Sequence, residues 1–217
     1  MKTRPRPVPI ENQKPKIESP PLSSKIITLP NLLTMFRMAL IPIFVSLLFY
    51  QKFEWALGVF VLAGITDGLD GLFARRLNQG SQLGAILDPI ADKLLLVTSF
   101  VVLTLPTISP QPAPRHFPVP FWVTVTVFSR DIFILIGAAA INVVTGFRRF
   151  CPSFLGKINT AVQILAIAAI LIALSFPRLS GYLPTVYTTV FGLAVISGIH
   201  YIFFVSKLLN EERRQGD

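Results

Sequence analysis

Residues 67–92 read DGLDGLFARRLNQGSQLGAILDPIAD and carry four of the five acidic side chains found between Trp55 and Asn210. Long apolar segments run on both sides of this stretch. A carboxylate near the middle of a bilayer helix costs roughly 2.5 to 3.5 kcal/mol on insertion scales, so four of them cost on the order of 10 kcal/mol unless cations or water offset it. Because such a cost is tolerated for a function, these aspartates are the candidate chemical site.

The composition indicates a membrane protein. Of the 217 residues, 52% are hydrophobic and only 14% are charged. The net charge of +9 would suggest nucleic acid in a soluble protein, but here Lys and Arg lie at the ends of apolar segments, so no nucleic-acid partner is expected. The single cysteine, Cys151, excludes an intrachain disulfide and a thiolate zinc cluster.

The apolar segments predict the fold class. Six of them are long enough for the roughly 20 residues of a spanning helix. They cover residues 31–50, 54–76, 84–106, 119–145, 155–176 and 183–206. With both termini inside, only Lys52, Arg115 and Arg178 among the cations of the tails and connections fall outside. The sequence therefore predicts an all-α integral membrane protein with six transmembrane helices and both termini in the cytoplasm.

The segments also predict the domain organisation. Residues 1–25 are basic and Pro-rich and read as a disordered tail, not as a cleavable signal. A single membrane domain follows over residues 26–210, and residues 211–217 form a cytoplasmic C-terminal tail. The absence of an internal repeat leaves an inverted-repeat transporter with little support.

The four aspartates form two pairs on neighbouring predicted helices. Asp67 and Asp70 are three residues apart, and Asp88 and Asp92 are four apart, so each pair shares one helical face. A short connection with a bend around Gly80 sets the pairs opposite each other. Converging carboxylates need protons or cations, and oxygen ligands alone favour Mg²⁺ or Mn²⁺ over zinc. Two such ions ~3.5 to 4 Å apart would support displacement at phosphorus.

Other residues of the same stretch suit a nucleotide. Gly71 and Ala74 clear space along the helix for a flat ligand such as a base, with close helix packing as the alternative. The fixed fork of Arg75 fits a pyrophosphate oxygen. The alternative for Arg75 and Arg76 is a topology signal.

These positions resemble, one by one, the signature of the CDP-alcohol phosphatidyltransferase family: Asp67-x2-Asp70-Gly71-x2-Ala74-Arg75-x8-Gly84-x3-Asp88-x3-Asp92. Residues 29–44, LPNLLTMFRMALIPIF, are similar to that family's entry into its first helix. The resemblance covers nearly all of the chain after the N-terminal tail.

The resemblance implies an enzyme of phospholipid biosynthesis that transfers a phosphatidyl group from CDP-diacylglycerol to an alcohol and releases CMP. It implies that Asp67, Asp70 and Asp88 hold two divalent ions, Mg²⁺ or Mn²⁺. Asp92 would be the general base and would share a metal. The CDP site would be lined by Asp67, Gly71, Ala74 and Arg75. The active site would face the cytoplasm, at a bacterial inner membrane or its equivalent, and a homodimer is a further hypothesis.

The acceptor alcohol is expected to be anionic, because four cations face the same end of the predicted bundle. These candidates are Arg130, Lys157, Arg148 and Arg149. Arg130 lies next to Asp131 inside the fourth apolar segment, so a structural ion pair is the alternative. Arg148 and Arg149 also fit the positive-inside rule. Lys157 begins a helix whose amino end favours an anion.

The acceptor segments resemble the branch that uses glycerol-based acceptors, namely phosphatidylglycerophosphate synthases and cardiolipin synthases. The former tend to carry a second Lys in a GKxKT pattern and a further Arg two turns after the one that matches Arg130. Here these positions read Asn159 and Ala138. The segment GKINTAVQ at 156–163 looks closer to cardiolipin synthases. The resemblance favours phosphatidylglycerol slightly, with glycerol 3-phosphate nearly level.

Two functions other than catalysis are alternatives for such a chain: a transporter and a structural membrane protein. A cation- or proton-coupled transporter accounts for the intramembrane acids but not for the spacing of Gly71, Arg75 and Gly84. A structural or lipid-scaffolding protein would not need the acids at all. Among other acceptors, cationic choline is disfavoured by Arg130 and Lys157, whereas inositol phosphate is compatible with them.

Overall fold

The computed structural model describes residues 29–77, 82–145 and 154–216, and within them the side chains of residues 31–69, 87, 90–137, 155–203 and 206. All regular structure in this part of the chain is helical. Its six α-helices are α1 (Leu29–Phe49), α2 (Phe53–Leu77), α3 (Gln82–Thr104), α4 (Phe121–Thr145), α5 (Phe154–Ser175) and α6 (Leu183–Gly216). Short 3₁₀ turns cover Pro106–Ile108 and Pro177–Tyr182.

The predicted all-α class is confirmed, and the helix bounds agree with the apolar segments to within a few residues. The largest difference lies at the C-terminus, where α6 continues to Gly216. Residues 207–216, KLLNEERRQG, are mostly good helix formers, so the helix does not end where the apolar run ends. The predicted C-terminal tail is therefore helical over residues 211–216. The predicted N-terminal tail lies outside the described residues.

The exterior and the helix lengths indicate an integral membrane protein. Within the described residues, three stretches are long and apolar enough to cross a bilayer: Asn31–Phe49, Leu155–Ser175 and Pro177–Phe203. Large apolar side chains such as Trp55, Phe121 and Phe203 are exposed, as lipid-facing side chains are. The count of six spans and the cytoplasmic position of both termini stay predictions.

Helices that are distant in the chain pack together, as well as successive ones. Helix α1 packs against α2 and α3, α2 packs against α5, and α6 packs against both α4 and α5. The long connection between α3 and α4 is fastened at one end of the bundle, because Tyr187 of α6 donates a hydrogen bond to the carbonyl of His116 at 3.0 Å. Helix α1 is thus in position to contact both helices that carry the aspartates.

The bundle interior has two chemically different halves. The apolar half lies next to the α1–α2 connection, and its buried side chains include Phe44, Leu48, Phe60, Phe100, Leu103, Ile167 and Leu171. The polar half lies at the opposite end, next to the start of α1 and the end of α2. Its buried polar side chains are Asn31, Thr34, Arg37, Thr66, Arg130, Asn159, Gln163 and Ser197.

Single helix faces change character from one half to the other. On α1, Asn31, Thr34 and Arg37 recur every three residues and are followed on the same face by Leu40 and Phe44. On α5, Asn159 and Gln163 are one turn apart and are followed by Ile167. The polar half is therefore built into the helices themselves and contains the candidate site.

Candidate functional site

Arg37 of α1 joins two of the four aspartates. Its Nη1 atom lies 2.8 Å from Oδ1 of Asp67 on α2 and 2.6 Å from Oδ1 of Asp92 on α3. The Arg37 side chain is 1% exposed, whereas the side chains of Asp67 and Asp92 are 42% and 44% exposed. A buried cation therefore holds two carboxylates that are open to a ligand.

The two carboxylates converge across the α2–α3 pair. Each Oδ1 contacts the same nitrogen atom of Arg37, so Asp67 and Asp92 both face α1. The spacing argument from the sequence predicts this approach, and the geometry of these two residues agrees with it. A permanently charged guanidinium at the meeting point offsets the repulsion between them.

The remaining residues of the motif are described only by their backbones. Asp70, Gly71, Ala74 and Arg75 belong to α2, and Asp88 belongs to α3, but their side chains lie outside the described set. Arg148 and Arg149 lie outside the described residues altogether. Since only two of the four aspartates are included, the described side chains hold no group of three potential metal ligands.

A second ionic network ties α3, α4 and α6 together. Nη1 of Arg130 donates to Oδ1 of Asp131 at 2.8 Å, and its Nε and Nη2 atoms donate to Oγ of Ser197 at 3.3 and 2.9 Å. Nζ of Lys93 donates to Oδ2 of Asp131 at 2.7 Å. Asp131 thus bridges two cations, and Arg130 links α4 to α6.

This network bears on the expected role of Arg130. All three nitrogen atoms of its guanidinium are engaged within the protein, and the side chain is 6% exposed. Such an arrangement favours the structural alternative. Lys93 is 43% exposed and follows Asp92 directly, so it is the more accessible cation of the network.

Helix α5 contributes one exposed cation and two buried amides. Lys157 is exposed near the start of the helix. Asn159 and Gln163 are buried, and neither side-chain amide has a hydrogen-bond partner among the described residues. A buried polar group left unpaired destabilises a fold by about 1–3 kcal/mol. Burial of these two amides in the polar half therefore lowers the stability of the fold.

Arg37 and Lys93 are site residues that the sequence reasoning missed. Both are single cations within apolar helices, and an ionisable residue inside a candidate span is by itself a functional signal. That signal would have selected Arg37. The sequence could not have named its partners, because Asp67 and Asp92 are 30 and 55 residues away in the chain.

Comparison with known proteins bears on the identity of the site. The family model of CDP-alcohol phosphatidyltransferase matches residues 27–201. A "Cardiolipin synthase (CMP-forming)" from Homo sapiens is 38% identical over 162 residues, which are 67% of this chain and 50% of that protein. A "CDP-diacylglycerol--glycerol-3-phosphate 3-phosphatidyltransferase" from Blochmanniella floridana is 32% identical over 191 residues, 85% of this chain and 94% of that protein.

A "CDP-diacylglycerol--glycerol-3-phosphate 3-phosphatidyltransferase 2" from Arabidopsis thaliana is 37% identical over 150 residues, which are 66% of this chain and 58% of that protein. The chain spans about half the length of the cardiolipin synthases it matches. The family match runs from the start of α1 into α6 and includes every aspartate of the motif. The resemblance read from the motif is thereby confirmed, and the chain belongs to the CDP-alcohol phosphatidyltransferase family.

Proposed function

We propose that this protein transfers a phosphatidyl group from CDP-diacylglycerol to a glycerol-based alcohol and releases CMP. The observation that carries the proposal is the convergence of Asp67 and Asp92 on one point, with both carboxylates partly exposed. The motif of the family supplies these two residues. The relatives named above act, by their names, on the same donor or form the same product, CMP.

The residues fit a divalent cation. The two described carboxylates already converge on a positively charged group, and every candidate ligand is an oxygen, which suits Mg²⁺ or Mn²⁺. In the proposal, Asp67, Asp70 and Asp88 hold two ions, and Asp92 shares one of them. Bound ions would supply positive charge against the pyrophosphate of the donor.

The chain's own residues perform the remaining steps. Asp67, Gly71, Ala74 and Arg75 line the CDP portion of the donor, with Arg75 on a phosphate oxygen. Asp92 accepts the proton of the acceptor hydroxyl as its oxygen attacks the phosphorus that carries diacylglycerol. The new phosphorus–oxygen bond forms while the bond from that phosphorus to the CMP oxygen breaks. CMP then leaves, and the lipid product stays in the membrane.

The acceptor is proposed to be phosphatidylglycerol, which would make the protein a cardiolipin synthase. The human relative supports this choice, as does the neutral, buried Asn159 on the acceptor side. Glycerol 3-phosphate is the second candidate, because the relative from Blochmanniella floridana matches over nearly its whole length. Acceptor binding is assigned to Lys157, Arg148 and Arg149, while the bonds of Arg130 to Ser197 support the structural alternative for that residue.

The orientation and assembly belong to the same proposal. Six spanning helices with both termini in the cytoplasm would put the polar half, and with it the reaction, at the cytoplasmic face of a bacterial inner membrane or its equivalent. Two copies are proposed to form a homodimer. Crosslinking in native membranes would test the dimer, and labelling of Lys52 from outside the cell would test the orientation.

The decisive experiment follows CMP release by the full chain in lipid nanodiscs. The reaction contains Mg²⁺, CDP-diacylglycerol and either phosphatidylglycerol or glycerol 3-phosphate. Asp92→Asn is the inactive variant, and Glu54→Gln is the matched control, because Glu54 is exposed at the opposite end of α2. Release of CMP with phosphatidylglycerol but not with glycerol 3-phosphate supports the proposal. Release of CMP with glycerol 3-phosphate but not with phosphatidylglycerol supports the second candidate acceptor instead. No CMP with either acceptor contradicts both.

A further inference from the structure

We propose that Arg37 is a built-in counter-cation that holds Asp67 and Asp92 together and competes with the divalent metal for them. This inference rests on the proposed function in one respect, namely that Asp67 and Asp92 bind metal. It assigns Arg37 as a positioning residue, and it predicts that the native metal affinity is lower than the carboxylates alone would give.

The contacts of Arg37 bring the two carboxylates to one point. One atom, Nη1 of Arg37, contacts Oδ1 of Asp67 at 2.8 Å and Oδ1 of Asp92 at 2.6 Å. Short charge-assisted bonds to two carboxylates from different helices define the point where their negative charges meet. A metal ion that uses both carboxylates needs that same region. The guanidinium and the ion are therefore alternative or mutually weakening partners of the same oxygens.

Arg37 is buried, whereas its two partners are partly exposed. Arg37 is 1% exposed and reaches the carboxylates from inside the bundle, while Asp67 and Asp92 are 42% and 44% exposed on the other side. The metal would approach from the open side. Arg37 has a protein interior behind it and cannot move out to water, so its charge stays close to the site after the ion has bound.

The positive charge of Arg37 acts both on the two carboxylates and on an ion that binds them. Arginine stays protonated at every physiological pH, so Arg37 keeps both carboxylates paired when metal is absent. Without it, the two close carboxylates would repel each other. The same charge, in contact with the carboxylates that would bind the dication, would repel the ion, and burial of Arg37 limits the screening of its charge. Arg37 therefore stabilises the protein when metal is absent and lowers the affinity of the site for metal.

The test compares Mn²⁺ binding to wild type, Arg37→Gln and Arg37→Lys, with the full chain in nanodiscs after removal of metal by chelation. Free Mn²⁺ is measured by electron paramagnetic resonance, without donor or acceptor. Arg37→Gln is expected to bind Mn²⁺ about ten-fold tighter, because a nearby positive charge is removed. Arg37→Lys retains the charge and is expected to stay close to wild type. Arg178→Gln, an exposed arginine at the other end of the bundle, is the matched control.

Thermal unfolding gives a second readout on the same samples. Arg37→Gln is expected to have a lower Tm than wild type without metal, and saturating Mn²⁺ is expected to raise its Tm by more than it raises that of wild type. If Arg37→Gln does not fold, NMR spectra of wild type labelled with ¹⁵N-arginine provide the test. The Arg37 signal is identified as the one that is missing from the spectrum of Arg37→Lys. A shift of that signal on Mg²⁺ addition supports the proposal, and an unchanged signal overturns it.

The outcomes separate this inference from the proposed function. Folded Arg37→Gln that binds Mn²⁺ no tighter than wild type overturns the inference, whereas wild-type CMP release in the same preparation leaves the proposed function standing. Wild type that neither binds Mn²⁺ nor releases CMP overturns both.

Discussion

The two halves of the helix bundle bury polar groups in different ways. In the apolar half the buried hydroxyls are neutral: Ser99 donates to a carbonyl of its own helix at 2.7 Å, and the hydroxyls of Thr104 on α3 and Thr124 on α4 lie 2.6 Å apart. In the polar half, Arg37 and Arg130 bind partners on other helices. A local bond such as that of Ser99 leaves a helix independent of its neighbours, whereas long-range ion pairs make the position of each helix depend on the others. The polar half is therefore the place where arrangement and chemistry are coupled.

The comparison also shows where stability comes from. The apolar half packs Phe44 against Phe60, with ring centroids 5.9 Å apart, and joins all six α-helices in one core. In the polar half, the amides of Asn159 and Gln163 have no partner in the part of the chain that the structure describes, and two carboxylates lie close together. We infer that the apolar half supports the fold and that the polar half costs stability for function. Substitutions in the two halves should therefore change different measured quantities.

The largest expected effect is on activity, in the polar half. Asp92→Asn removes the proposed base, and kcat for CMP release should fall by about 10²- to 10⁴-fold, the usual contribution of general acid–base catalysis. Glu54→Gln should retain wild-type kcat. An Asp92→Asn protein with normal turnover would show that the convergent carboxylates do not carry the chemistry.

The next effect is on stability, in the apolar half. Phe44→Ala removes a fully buried ring and should destabilise the fold by about 3–5 kcal/mol, because the cavity closes only in part. Thermal unfolding in a fixed detergent measures the effect, with Phe49→Ala as the control since Phe49 is half exposed. The kcat of the folded fraction should stay near wild type. A large loss of kcat per folded molecule would break the proposed division between the halves.

A smaller effect is expected where α4 meets α6 in the polar half. A Cβ atom on Gly137 would lie 2.5 Å from Cε1 of Tyr201, so Gly137→Ala forces the ring or a helix to move. Overpacking of this kind costs about 1–3 kcal/mol. Gly192→Ala on α6 meets nothing within 4 Å and serves as the control in the same unfolding assay.

The double variant Gly137→Ala/Tyr201→Ala sharpens this prediction. Because the two residues are in contact, the double variant should be less destabilised than the sum of the two single variants. Additive losses of unfolding free energy would mean that the Gly137 position is not limited by the Tyr201 ring.

The smallest effect, that of Ser99→Ala, belongs to a pair of variants that carry the same substitution in opposite halves. Ser197→Ala removes the acceptor of two bonds from the buried Arg130 guanidinium and should cost about 1.5–3 kcal/mol, since a charged donor loses its partner. Ser99→Ala removes a hydroxyl that bonds only to a helix carbonyl and should change the unfolding free energy by less than about 0.5 kcal/mol. Equal losses at both positions would remove the distinction between local and long-range bonds.

Much of the fold was predictable because it follows from local properties of the chain. Apolar runs of about twenty residues separated by Pro-rich or charged connections predicted all six helices. The C-terminal end of α6 was missed, since helix propensity continues beyond the apolar run that marked its end. The motif predicted the family. The spacing of its aspartates predicted that all four carboxylates converge; Asp67 and Asp92 contact one atom of Arg37, and the side chains of Asp70 and Asp88 lie outside the described set.

The sequence by itself determined the class of protein, its helices and the residue types of the site, because hydrophobicity, helix propensity and motif spacing act over short distances along the chain. Only the tertiary structure decided which cation faces which acid. Arg37 on α1 meets carboxylates from α2 and α3, and Arg130 is bound by Ser197, 67 residues further along. Such partnerships depend on how helices pack against one another, and packing is set by the whole interior at once.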